Sequence, residues 1–118
     1  MSYSIAFKVK VEGTDSYLGV GDCYANITWN VREIIERSTG LPWKNEANNG
    51  LCLDVIPQIR HGMEELQTNP EQYKPYEARN GWGTVKGTVR FFQQILNDWE
   101  KFMVEHEELV PVVTFWIE

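Results

Sequence analysis

Cysteine, histidine and long apolar runs are scarce in this chain, and each scarcity removes a class of function. The two cysteines, Cys23 and Cys52, stand far apart with no CxxC spacing. That favours buried thiols in a reducing compartment over a disulfide. The two histidines, His61 and His106, form no HxxxH, HxH or HExxH pattern, so no metal site is expected. No apolar stretch approaches the ~20 residues of a membrane span. The opening Met-Ser-Tyr-Ser-Ile-Ala-Phe-Lys lacks the basic start and apolar run of a signal peptide. The expectation is a cytoplasmic protein with no membrane contact. Bases are also few: 11 against 17 acids gives a net charge of −6, a poor balance for a protein that must neutralise the phosphates of a nucleic-acid polymer.

Catalytic patterns are missing as well. Ser16 and Ser38 lack the setting of a nucleophile elbow. Glu107-Glu108 is a charge run, and nothing beside Cys23 marks an activated thiolate. There is neither a GxxxxGK[ST] loop nor a GxGxxG after a strand. No cofactor is implied, and the chain does not read as an enzyme.

What the sequence does contain suits one folded domain over residues 1–118. At 118 residues and 42% hydrophobic, with five each of Trp, Tyr and Phe, it is long enough for a core without staples. Ile5, Phe7, Val9 and Val11 alternate with polar or small residues and predict a strand over 4–11. Tyr17–Val20 predicts a second, short strand, and 24–29 reads as extended. Asn30, with Glu33 three residues on, resembles a capping box for a helix over about 31–38, stopped by Gly40. Residues 41–50 read as a loop. A second helix is expected from near Asp54, with Pro57 in its first turn. Val85, Val89, Phe92, Ile95, Leu96, Trp99 and Met103 mark the buried face of a third helix over 84–104. Val110–Ile117 reads as a buried strand that could lie beside the first. This order predicts an α+β fold, a small mainly antiparallel sheet with about three helices on one face.

Four features invite a binding role. In Asn80-Gly81-Trp82-Gly83-Thr84 two glycines flank a large aromatic just ahead of the third helix, with Thr84 as its cap. Backbone donors near Gly83 and Thr84, with Lys86 and Arg90 on the first turns, suit an anion, and Trp82 could stack on a base. The same residues also describe an ordinary structural turn. Asn26, Thr28 and Asn30 alternate along the extended segment and could share a face, or Asn30 could simply cap the helix while the other two meet water. Trp29 lies between them, and Trp43 sits in the 41–50 loop, either as part of a site or as a lid on the core. Lys74, Arg79, Lys86 and Arg90 face only Glu77 between residues 72 and 97, whereas residues 98–118 carry six acids and one base.

The Asn-Ile-Thr-Trp-Asn-Val segment at 26–31, the helix with Pro57, the Asn69-Pro70-Glu71-Gln72-Tyr73 turn and the Asn80–Thr84 turn span most of residues 24–104. In their order and spacing the chain resembles a family of short uncharacterised proteins from bacteriophages and prophages. The resemblance implies a phage accessory protein of the host cytoplasm that works by binding. Two expectations follow. One is capture of a small anionic, nucleotide-like host molecule between the 26–30 segment and the 80–84 turn. The set is Asn26, Thr28, Trp29, Trp43, Asn80, Trp82, Gly83, Thr84, Lys86 and Arg90. The other is blockade of the basic surface of a host protein by the acids of residues 98–118, Glu105, Glu107 and Glu108 among them, with exposed aromatics. A small sheet with an apolar terminal strand leaves edges to cover, so a homo-oligomer is a further expectation.

Overall fold

The computed structural model describes residues 1–118. Its longest strand, β1 (Ser2–Lys10), follows the alternation of the sequence, with Tyr3, Ile5 and Phe7 buried and their neighbours facing out. The terminal strand β5 (Thr114–Ile117) pairs antiparallel with β1, Ile5 opposite Ile117 and Phe7 opposite Phe115. The sheet order is β2 (Tyr17–Gly19), β1, β5, β4 (Ala47–Leu51), and β3 (Asn26–Thr28) also pairs with β1. Both β2 and β3 are antiparallel to β1, one at each of its ends. Four helices complete an α+β fold: α1 (Arg32–Thr39), α2 (Cys52–Thr68), the single turn α3 (Pro70–Tyr73) and α4 (Val85–Glu105). No helix is long and apolar enough to cross a membrane.

The core lies between the inner face of the sheet and α1, α2 and α4. Phe7 meets the rings of Trp99 and Phe102 of α4 at 5.8 and 5.3 Å. The expected stripe of α4 is buried at Val85, Phe92, Ile95, Leu96 and Trp99, and Phe91 and Phe102 join it. Met103 faces out instead.

Several boundaries differ from the sequence reading. Residues 47–51 form a strand rather than a loop, because an edge strand beside β5 needs main-chain pairing more than apolar side chains. The helix α2 starts at Cys52, which puts Pro57 in its second turn. Asn30 is no cap. It lies inside a 3-10 turn (Trp29–Val31), and Val31 occupies the N-cap of α1 without a side-chain bond. Residues 110–113 stay outside the last strand. Both cysteines are free, Cys52 fully buried. Burial pushes the Cys52 thiol up to about 12 and raises that of Cys23 as well.

Candidate functional site

The segment after residue 23 runs along α4 in the opposite direction. At one end the Tyr24 N–H donates to Asp98 Oδ2 at 2.8 Å. At the other, a side chain on Gly83 would meet Val31 Cγ1 at 3.0 Å and Asn30 Cβ at 3.1 Å. The structure therefore brings the 26–30 segment and the 80–84 turn together, with glycine at residue 83 so that the chains can touch.

Midway along this seam lies a groove of about 300 Å³, lined by Tyr24, Asn26, Gly87, Arg90, Phe91 and Gln94. One wall is the main chain of β3. Ser4, opposite Asn26, exchanges both its main-chain groups with Glu118 at 2.9 and 2.8 Å. In an antiparallel ladder such groups alternate between the two sides of the strand. The N–H and C=O of Asn26 are thus turned to the free edge of β3, the side on which Tyr24 N–H reaches Asp98. The other wall is one stripe of α4. Gly87 leaves the helix bare there, a Cβ at that position meeting only Thr84 Oγ1 within 4 Å. Phe91 is buried. Arg90 is exposed and makes none of the ion pairs of the structure. Gln94 donates its Nε2 to Asp98 Oδ1 at 2.9 Å, leaving its Oε1 free.

Asp98 organises one end of this groove. It is 5% exposed and accepts from Tyr24 N–H, Gln94 Nε2 and the Cys23 thiol at 3.3 Å. Three donors satisfy a buried carboxylate that has no cation beside it. Two residues further along the strand, Asn26 presents an N–H in the same sense, but no side chain accepts from it. The one charged residue lining the groove is Arg90.

The helix N-terminus is a different matter. Thr84 caps it as expected, its Oγ1 accepting from Gly87 N–H at 2.9 Å. Glu77 Oε2 accepts from Val85 N–H at 2.7 Å. The protein's own carboxylate thus holds the position assigned to a ligand anion. Asn80 is also engaged locally, its Oδ1 accepting the Trp82 N–H at 3.0 Å. Trp82 is 69% exposed and stacks on no other ring. Lys86 lines another depression, with Leu66, Pro70, Lys74, Glu77 and Val89, so it does not join Arg90 in one site.

The remaining candidates also separate. Trp43 is fully buried, edge-on to Tyr3 and Phe91 at 6.2 and 6.0 Å, and has no surface to offer a ligand. Trp29 donates Nε1 to the Ser2 carbonyl at 2.9 Å and lies tilted over Tyr3. Asn26 and Thr28 share the outer face of the sheet, opposite Ser4 and Ser2, and Asn26 Nδ2 bonds the hydroxyls of both serines. Asn30 leaves the strand and does not join them.

Sequence reasoning reached Asn26 and Arg90 but missed Tyr24, Gln94 and Asp98. One signal was available. Phe91, Ile95, Asp98 and Phe102 follow helical spacing, so an acid sits in an apolar stripe and must have local donors. Comparison of the chain with protein-family models, with curated proteins and with solved structures finds no match.

Proposed function

We propose that this protein is a non-enzymatic capture protein for a small anionic host molecule, held in the groove between β3 and α4. The observation that carries this reading is that Asn26, whose N–H lies on the free edge of β3, and Arg90, which makes no ion pair, line one groove with Gly87 between them on the lining. An oxyanion there takes two donors, one of them charged. It would occupy, relative to Asn26, the place that the Asp98 carboxylate occupies relative to Tyr24. The exposed Tyr24 ring supplies apolar surface, in keeping with pockets that combine apolar walls and a few placed polar groups. A nucleotide-type ligand of a host signalling system is the member of this class that fits the resemblance to phage accessory proteins.

The test is an amide NMR titration of the ¹⁵N-labelled protein with a small-molecule extract of bacterial cytosol. Binding at this site moves the Asn26 amide resonance in the wild-type protein and leaves it still in Arg90→Glu. Saturable binding that moves the amides around Trp82 and leaves Asn26 still would refute it.

A further inference from the structure

The walls of the groove restrict the ligand further, and this step rests on the reading of the groove as an anion site. Arg90 is the only cation lining it. The carboxylate of Asp98 lies two helical turns away along α4 and is bonded to Gln94 at 2.9 Å, so added negative charge is opposed from that end. A single unit of charge is matched; a triphosphate is not.

Beside the Tyr24 hydroxyl, two acceptors are left over. Gln94 has its amide nitrogen tied to Asp98, which leaves Oε1 as an acceptor. The Asn26 carbonyl on the strand edge is a second acceptor, because the main-chain groups of Ser4 are both taken by Glu118. Acceptors that lose water on binding need donors from the ligand. Tyr24, 68% exposed, is held to α4 through its main-chain N–H and offers a ring on which a planar ligand can stack. At about 300 Å³ the groove is at the small end of ligand sites, with space for one ring system and its anion.

We infer that the groove selects a singly charged oxyanion carried by a planar ring that bears an amino group. Two sources offer this chemistry, a nucleoside phosphodiester such as a cyclic mononucleotide and an amino-substituted aryl carboxylate. The experiment is calorimetric titration of the full chain with 3′,5′-cyclic AMP, 3′,5′-cyclic IMP, ATP, 4-aminobenzoate, benzoate and inorganic phosphate. In whichever arm binds, the amino compound should bind at least about tenfold tighter than its amino-free partner, cyclic IMP or benzoate. ATP should bind more weakly than cyclic AMP. Gln94→Ala should shrink the preference for the amino compound to below about threefold while retaining binding, and Arg90→Ala should lose both.

Equal binding of the amino and amino-free compounds, or tightest binding by ATP, would overturn the inference. If those compounds or phosphate still bound in an Arg90-dependent way, the capture reading would stand alone. No binding by any probe would overturn the inference. Saturable extract binding that leaves the Asn26 amide still would bring down the capture reading with it.

Discussion

The buried carboxylate of Asp98 accepts the main-chain N–H of Tyr24 at 2.8 Å across the seam between the edge of the sheet and α4. That bond ties the start of the segment to the helix, while the pairing of β3 with β1 sets where the Asn26 N–H points. With Gln94 and Cys23 as its other donors, Asp98 links the shape of the groove to the stability of the fold.

Replacing Asp98 tests that link. Asp98→Ala leaves the Tyr24 N–H and the Gln94 amide without their acceptor in a buried place, at a cost of about 2–4 kcal/mol. Urea unfolding should show a lower midpoint with an unchanged slope. A loss below about 0.5 kcal/mol would mean that the seam is held by other contacts.

Charge reversal should separate two residues that the sequence treats alike. Arg90→Glu is expected to weaken binding of the captured anion by tenfold or more, because it replaces the only cation of the groove. Lys86→Glu, one turn back on α4 but lining the neighbouring depression, should weaken it clearly less than Arg90→Glu does, because Lys86 does not line the groove. Equal losses in both variants would return the site to the start of α4.

Trp43 gives a prediction of the opposite kind. Its Nε1 is buried without a partner, so Trp43→Phe removes an unsatisfied donor as well as bulk and should cost less than about 2 kcal/mol. Trp43→Ala should cost about 3–5 kcal/mol. Binding by folded Trp43→Phe should match wild type, whereas a tenfold loss would show that the indole reaches the ligand.

Gly83 and Gly81 both have positive φ, 128° and 76°, but only Gly83 is hemmed in. Gly83→Ala should therefore destabilise the protein by about 1–3 kcal/mol more than Gly81→Ala does, through strain and the clash with Val31 and Asn30. Thermal unfolding of the two variants side by side decides this. Equal melting temperatures would deny the close approach.

Alkaline pH should weaken the fold. The Cys52 thiol is pushed up to about 12 by burial, from an ordinary value of 9.0. Between those values the unfolded chain has lost its proton while the folded one keeps it. The unfolded state then binds fewer protons, and stability falls as pH rises, by up to about 1.4 kcal/mol per pH unit for each such thiol. Urea midpoints at pH 8 and about 10.5 should differ in wild type and differ less in Cys52→Ala. An unchanged wild-type midpoint would sink the argument.

Much of this architecture is legible in the sequence, and the rest is hidden for identifiable reasons. The alternation of Ile5 and Phe7, the stripe of α4 and the Thr84 cap are local patterns, and each appears in the structure. The close approach at Gly83 was readable as a glycine requirement, but its partner is the protein's own Asn30–Val31. The groove was not readable, since it depends on which edge of β3 is free, and that follows from the β1–β5 pairing. Glu77 closes the helix end from eight residues upstream, where no spacing rule announces it. The Ala47–Leu51 strand has the composition of a loop and forms because β5 offers it an edge.

One side of β1 is covered piecewise, by Asn26–Thr28 at its start and Tyr17–Gly19 at its end, with Val20 reaching Phe7 between them. A foreign polypeptide seeking to zip onto this border finds two three-residue steps separated by a loop, never an unbroken template. With α4 alongside the first step, the border that carries the groove resists self-templated aggregation. It can leave polar main-chain groups bare for a small guest without inviting a chain to take them.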